Sequence, residues 1–202
     1  MSGSASHPQR YDTAALSFHW AIAALILADF AFGISFARFD PGDALYFPFA
    51  YDMHMRFGMW ILVVAVLCVA RRVSRPYPGP IPDMSETMRR LARLAHLSLY
   101  GFMVIVPLTG WIVLALRGKP PVLIGNTHWP QIPYLLHLPR PQRVALHDFL
   151  LPVHIWLAYF GMGIVAVHAL AALYHHFFLR DEVLRRMLPR FRRRDLLQVS
   201  RH

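Results

Sequence analysis

Long apolar runs that alternate with short charged segments form the main pattern of the chain. Four runs stand out: residues 14–36 and approximately residues 53–72, 91–116 and 146–179. Each approaches or exceeds the roughly 20 residues that a helix needs to cross the ~30 Å hydrocarbon core of a bilayer. The second is the weakest, since its uncharged centre covers only residues 57–70 and the arginines at its ends must reach the two interfaces. The pattern predicts an all-α integral membrane protein, a bundle of four transmembrane helices.

The composition supports this assignment. Hydrophobic residues make up 56% of the chain and charged residues only 16%, whereas soluble domains carry more charge and interrupt their apolar runs. The first run is longer than the apolar part of a secretion signal and lacks a small-residue cleavage site followed by a soluble protein, so we expect it to be the first helix. We expect one domain over residues 1–190 and a basic tail over residues 191–202.

Basic residues are distributed unevenly between the segments that join the four runs. With both termini on one side, fifteen of the 21 Lys and Arg residues fall on that side, at Arg10, within residues 71–93 and after residue 179. The other side carries Arg38, Arg56, Arg117, Lys119, Arg140 and Arg143. This is the positive-inside bias of a membrane protein with both termini in the cytoplasm. The net charge of +10 therefore indicates orientation and contact with anionic lipid rather than binding of nucleic acid.

Histidine is the residue type that carries the candidate chemistry. The single cysteine, Cys68, allows neither an intrachain disulfide nor a Cys-x-x-Cys-His haem attachment, so a redox cofactor would have to be held by other residues. Twelve histidines are present. In the predicted orientation, the helix directions place His19, His96 and His168 in the inner leaflet and His54 and His154 in the outer leaflet.

The fourth run holds His154 and His168, which lie fourteen residues apart. Fourteen helical residues rise roughly 21 Å and return to within ~40° of the same face, so both rings face one way at two depths of the bilayer. Gly161 lies midway on this stripe and is predicted to let a flat macrocycle approach the backbone. His147 and His175 extend the stripe but are roughly 42 Å apart, too far for both to lie in the hydrocarbon.

Two opposed pairs of histidines follow from these depths. His19 can meet His168 and His54 can meet His154, and neutral imidazoles are good ligands of haem iron. An isolated intramembrane histidine is as often a hydrogen-bonded packing or proton-relay residue, but two pairs at matched depth favour two bis-histidine haems, one per leaflet. His96 competes with His19 as the inner ligand, and the residues alone leave that choice open.

Four segments of the chain resemble the bacterial cytochrome b561 family, membrane cytochromes of four helices with two non-covalent haem b groups. They are residues 10–20 (RYDTAALSFHW), 54–72 (HMRFGMWILVVAVLCVARR), 96–111 (HLSLYGFMVIVPLTGW) and 168–190 (HALAALYHHFFLRDEVLRRMLPR). The resemblance implies that His19 and His168 hold one haem iron and that His54 and His154 hold the other. It also implies that His96 is not an iron ligand.

The same resemblance implies electron transfer between the aqueous phase and quinone of the bacterial inner membrane, with ubiquinone as the expected acceptor. Oxidation of superoxide with reduction of ubiquinone is a characterised activity in the family. The candidate quinone or proton residues are His96, His175 and His176, although for the last two contact with lipid headgroups is an equal alternative. The residues that could steer a small anion, or simply anchor the helices at the interface, are Arg56, Arg117, Lys119, Arg140 and Arg143.

Two features depart from the family pattern, and two other functions stay open. Asp29 lies near the middle of the first helix, where the family usually has an apolar residue and where a carboxylate needs a partner or a proton. The loop 117–145, with His128 and His137, is distinctive and leaves the outer substrate open.

The alternative functions are a cytochrome b subunit that relays electrons from a hydrogenase or formate dehydrogenase to quinone, and a haem-free four-helix transporter or scaffold.

Overall fold

The computed structural model describes residues 13–38, 46–74, 85–118, 120, 122–125, 127–181 and 184–187. The elements in chain order are α1 (Thr13–Arg38), α2 (Tyr46–Ser74), α3 (Glu86–Leu116), β1 (Val122–Ile124), β2 (Thr127–His128), α4 (Pro133–Leu136) and α5 (Arg140–Tyr174). The predicted basic tail, residues 191–202, and the segment before residue 13 lie outside the described residues.

Four of the helices are long and apolar enough to cross a membrane. The candidate spans are Thr13–Ser35, Pro48–Ser74, Glu86–Leu116 and Arg140–Leu179. The prediction of an all-α protein with four apolar spans is therefore confirmed. The location of both termini in the cytoplasm stays a prediction.

Capping residues, rather than hydropathy alone, decide where the helices begin. α3 begins at Glu86 rather than near residue 91, because Ser85 accepts a hydrogen bond from the N–H of Met88 at 3.3 Å and an acidic residue occupies the first turn. α5 begins at Arg140 rather than near residue 146, with a proline in its first turn. Both helices thus begin with one or more polar turns before their apolar runs.

A turn of π-helix, His175–Leu179, follows α5 directly and ends this span. Arg180 follows in the left-handed conformation with a φ of 53°, and the N–H of Asp181 donates to the carbonyl of His175 at 3.2 Å. Trp20 Nε1 donates to the carbonyl of Met187 at 2.7 Å. The start of α1 and the chain beyond α5 are thereby joined at one end of the bundle.

Contacts of α1 with α2, of α2 with α3 and of α3 with α5 hold the bundle together. The buried apolar cluster consists of Ile22, Ile26, Ile61, Ala65 and Met103. Large apolar side chains face outward, such as Trp156 and Phe160, which are 73% and 69% exposed. An outer surface of this kind is stable against lipid rather than water, so the packing agrees with the four spans.

The segment between α3 and α5 folds back on the bundle. β1 and β2 pair as an antiparallel hairpin, β1 contacts α2, and α4 contacts α3. Trp111 Nε1 donates to the carbonyl of Pro130 at 3.0 Å, and its ring meets Trp129 edge-on at a centroid distance of 6.0 Å. The end of the predicted loop 117–145 belongs to α5 instead.

Candidate functional site

His54 on α2 and His154 on α5 face each other in one half of the bundle. Their ring centroids are 6.1 Å apart and the ring planes make an angle of 69°. Nδ1 of His54 lies 3.1 Å from the backbone carbonyl oxygen of Asp29 on α1 and 3.0 Å from its carboxylate Oδ1. Since both oxygens are acceptors, the proton of a neutral His54 is on Nδ1, and Nε2 is the nitrogen with a lone pair for a ligand bond.

The ring of His154 is oriented in the same manner by α3. Its Nδ1 lies 3.1 Å from the carbonyl oxygen of Val106 and 3.1 Å from Oγ1 of Thr109. The Thr109 hydroxyl itself donates to the Val106 carbonyl at 2.7 Å, so its oxygen accepts from the imidazole. A neutral His154 therefore also carries its proton on Nδ1, the arrangement found in metal-bound histidines whose second nitrogen is hydrogen-bonded.

A glycine on the neighbouring helix allows each of these rings to come close. A Cβ at Gly33 would lie 3.1 Å from Cε1 of His54, and a Cβ at Gly110 would lie 3.0 Å from Cε1 of His154. Any side chain at either position would press on the imidazole. Each ring thus packs against a glycine of the neighbouring helix and donates a hydrogen bond to a backbone carbonyl one turn before that glycine.

A second cluster, in the half of the bundle predicted to face the cytoplasm, contains His19 on α1, His96 on α3 and His168 on α5. The centroids of His19 and His168 are 6.5 Å apart, whereas those of His96 and His168 are 5.4 Å apart. Nδ1 of His96 lies 2.6 Å from the carbonyl oxygen of Ala92 in its own helix. Nδ1 of His19 is buried and has no hydrogen-bond partner among the described residues.

The separations within the pairs provide a test of whether an iron fits between the rings. With metal–nitrogen bonds of about 2.0 Å and about 1.2 Å from each nitrogen to its ring centre, two axial imidazoles have centroids about 6.4 Å apart. The observed values of 6.1 Å for His54 with His154 and 6.5 Å for His19 with His168 agree with this arrangement. The value of 5.4 Å for His96 with His168 is too short. The separations within the two pairs therefore leave room for one iron atom between the rings at each depth.

Midway between the two pairs, Gly161 is buried against α3. A Cβ at this position would collide with the ring of Phe102. The structure thus shows why a side chain is not tolerated here, namely the close packing of an α3 aromatic ring on the α5 backbone. Clearance for a macrocycle at Gly161 stays a prediction.

Of the predicted quinone or proton residues, His175 has the most specific surroundings. Its Nδ1 is in close contact with the Asp181 carboxylate, which the turn at Arg180 brings back toward α5. His176 has a buried Nδ1 without a hydrogen-bond partner in the described part of the chain, and its ring meets Phe177 edge-on. The contact between His175 and Asp181 joins two titratable groups at the end of a span. The roles of His175 and His176 toward quinone or lipid headgroups stay predictions.

Two of the four arginines predicted to steer an anion, Arg56 and Arg117, have polar partners in the structure. Arg56 Nε lies 2.7 Å from Asp52 Oδ2. Arg117 Nε donates to Nε2 of His147 at 2.9 Å, and Nδ1 of that histidine lies 2.9 Å from a carboxylate oxygen of Asp148. Arg140 begins α5, and Arg143 has a buried Nε without a hydrogen-bond partner among the described residues. Lys119 lies outside the described residues.

Sequence reasoning singled out Asp29 but found no partner for it, and it missed Thr109, Gly33 and Gly110. A usable signal existed for Asp29. It lies nine residues before the end of α1, and His54 lies eight residues after the start of α2, so the two residues have nearly the same depth in adjacent antiparallel helices. For Thr109 and the two glycines the sequence holds no comparable signal, since small residues are common in membrane helices.

Comparisons with known proteins match nearly the whole chain. The family model described as prokaryotic cytochrome b561 matches residues 10–190. The chain is 32% identical over 181 residues to cytochrome b561 homolog 2 of Escherichia coli (strain K12), covering 90% of this chain and 92% of that protein. It is 27% identical over 186 residues to the probable superoxide oxidase CybB of Yersinia pestis, covering 91% and 98%. It is also 27% identical over 183 residues to cytochrome b561 homolog 1 of Escherichia coli (strain K12), covering 90% and 98%.

Proposed function

The chain belongs to the prokaryotic cytochrome b561 family, and on this premise we propose that it is a di-haem b cytochrome of the bacterial inner membrane that passes electrons between a donor at its outer face and membrane quinone. Membership makes it a multi-pass bacterial membrane cytochrome b with a role in electron transfer. The proposal adds the number of haems, their ligands, the membrane and the two redox partners.

The single observation that carries the proposal is the ring separation in the two histidine pairs. In the proposed ligation His54 and His154 hold the outer iron, and His19 and His168 hold the inner iron, at centroid distances of 6.1 and 6.5 Å. A haem held by two of these histidines would supply one-electron redox chemistry, and the two histidines would leave no ligand position for O₂. The shorter distance from His96 to His168 supports a ligand set without His96.

The chain's own residues prepare the ligand rings before a cofactor binds. The carbonyl oxygens of Asp29 and Val106 each accept from an Nδ1–H, which fixes both the tautomer and the orientation of the outer rings. The apolar outer surface of the spans keeps water away from these contacts. A pair of rings fixed in this way changes little when the iron gains or loses an electron, which favours rapid transfer.

At the inner end, His175, Asp181 and His176 are the candidate groups for proton exchange with quinone. Reduction of a quinone to a quinol consumes two electrons and two protons. His175 is in contact with the Asp181 carboxylate, so a proton can pass between the two side chains. His175 and His176 lie about two helical turns beyond His168, at the end of the span, and Asp181 contacts His175.

At the outer end, superoxide is the favoured donor. One relative that covers nearly the whole chain is named a probable superoxide oxidase. Superoxide is a small anion, and Arg140 and Arg143 at the start of α5 contribute positive charge that would attract it. Arg56 contributes less, because Asp52 balances its charge.

A haem assay on the purified chain tests the proposal directly. We expect a b-type α-band in the dithionite-reduced minus oxidised spectrum and two haems per chain by pyridine haemochrome. His154→Ala and His168→Ala should each retain one haem, and the matched control His96→Ala should retain both. Absence of the α-band would favour the haem-free transporter or scaffold, and two haems in either ligand variant would refute the pairing.

A further inference from the structure

Asp29 is a carboxylate placed inside an apolar span. Its side chain is 16% exposed and lies in the first span, where burial of an unpartnered charge is costly. Its Oδ1 lies 3.0 Å from Nδ1 of His54, whose side chain is 15% exposed. This is a charge contact without hydrogen-bond geometry, because Nδ1 donates to the backbone carbonyl of Asp29 instead. The other oxygen, Oδ2, points to α2 as well, because a Cβ at Gly58 would lie 4.0 Å from it. The carboxylate thus lies between two successive turns of α2, directly behind the His54 ring.

The histidines proposed as iron ligands differ in the groups that contact their Nδ1 atoms. Nδ1 of His154 meets a neutral carbonyl and a neutral hydroxyl, those of Val106 and Thr109. Nδ1 of His19 has no hydrogen-bond partner among the described residues. Within the described part of the chain, His54 is the proposed ligand with a carboxylate within 4.0 Å of a ring nitrogen. The outer pair is therefore electrostatically asymmetric.

A carboxylate behind a metal-bound imidazole has a known electronic effect. Its negative charge lies beside the polarised Nδ1–H group and makes the opposite nitrogen a stronger electron donor to the metal. A stronger donor and a nearby negative charge both stabilise the more positive, oxidised iron. The result is a lower reduction potential than the same bis-histidine site would have with a neutral group at this position.

We propose that Asp29 is the positioning residue for His54 and that its carboxylate lowers the reduction potential of the outer haem. This inference rests on the proposed function, because it requires His54 to be an iron ligand. Asp29 acts from α1 on a ligand that α2 carries, so it couples the packing of these two helices to the redox chemistry. No bond to the iron is made or broken by Asp29, which touches only the far side of the imidazole.

The test is a redox titration of the full chain in which Asp29→Asn replaces the carboxylate by a neutral group of the same shape. Any residue at position 29 keeps the backbone carbonyl that accepts from His54, so the substitution isolates the side chain. We expect two haems per chain and a potential of one haem that rises by at least 59 mV, which for a one-electron couple is a tenfold change in the equilibrium constant. The low-spin ferric electron paramagnetic resonance signal of that haem should also shift, and the other signal should not.

Two control variants separate this contact from general electrostatics. Asp52→Asn removes a negative charge near the same end of α2, but that carboxylate pairs with Arg56 and not with a histidine. Thr109→Val removes a neutral partner from His154 while the Val106 carbonyl remains. Each control should change the outer potential less than Asp29→Asn does, and an equal or larger change in either would overturn the inference.

The outcomes distinguish this inference from the proposed function. A wild-type chain with no haem or one haem would refute the di-haem proposal and this inference with it. Two haems in the wild type, together with unchanged potentials and spectra in Asp29→Asn, would overturn only the role of Asp29. Should Asp29→Asn lose the outer haem, Asp29→Glu decides the matter. If Asp29→Glu retains the outer haem near the wild-type potential, the carboxylate has the proposed role. If Asp29→Glu also loses that haem, the proposal is overturned.

Discussion

At Gly161, α5 comes close enough to α3 for the Phe102 ring to lie against its backbone. Gly161→Ala would put a methyl group into the space of that ring. The colliding atoms include Cγ, so the whole ring must swing away rather than only its far edge. Overpacking of this kind costs about 1–3 kcal/mol. For a chain of this size each kcal/mol corresponds to roughly 2–4 °C, so we expect the Tm in detergent to fall by ~2–12 °C.

Thermal unfolding followed by tryptophan fluorescence measures this loss, and the reduced spectrum of the same samples measures their haem content. Phe102→Leu is the matched partner, because a smaller side chain leaves room for the methyl group. The double variant should lose at least ~1 kcal/mol less than the sum of the two single variants. Strictly additive losses, or a Tm of Gly161→Ala within about 1 °C of wild type, would refute the packing argument. If Gly161→Ala loses haem and the added Phe102→Leu substitution does not restore it, the result would instead support a role of Gly161 in leaving space for a macrocycle.

Three further predictions concern the outer end of the molecule. Gly110→Ala puts a Cβ 3.0 Å from Cε1 of His154, so the ring must shift and the haem-to-protein ratio should fall below two, and a full complement of haem would contradict the contact. Reduction of the purified chain by superoxide should slow in stopped-flow experiments as ionic strength rises from about 0.01 to about 0.15 M, because the Debye length falls from ~30 to ~8 Å. A rate independent of salt would exclude steering by the arginines. Trp111→Phe removes the hydrogen bond to Pro130, which is worth about 0.5–1.5 kcal/mol, and limited proteolysis within residues 117–139 should become faster while the haem spectrum is unchanged.

The pairing of histidines could be predicted because depth is encoded along a helix. His154 and His168 lie on the continuous α5, so their separation follows from helical rise and their common face from helical repeat. The helices that carry His54 and His19 alternate in direction, which leaves few partners at each depth. The structure brings together the two pairs that these arguments predicted, although their role as ligands stays a proposal.

Contacts that depend on the rotation of one helix against another could not be predicted. α1 and α2 are apolar over most of their circumference, so the hydrophobic pattern does not indicate which face of α1 meets α2. The depth of Asp29 in the bilayer could be predicted from its position in α1. Its contact with His54 could not, because the contact depends on how α1 is rotated about its axis relative to α2. Helix ends were missed for a different reason, since Ser85 and the proline at the start of α5 extend helices beyond their apolar runs.

The fourteen-residue separation on α5 has a consequence for how the protein responds to membrane voltage. The roughly 21 Å of helix between His154 and His168 is about two thirds of the hydrocarbon thickness. A unit charge that crosses the whole membrane changes energy by about 2.3 kcal/mol per 100 mV, so an electron passing between the proposed haems changes energy by roughly 1.6 kcal/mol. When the cytoplasm is negative, 100 mV shifts the electron about 15-fold toward the outer haem. If the proposed haems and orientation hold, a membrane potential that is negative inside would oppose electron transfer from the outer to the inner haem, and its loss would remove this opposition.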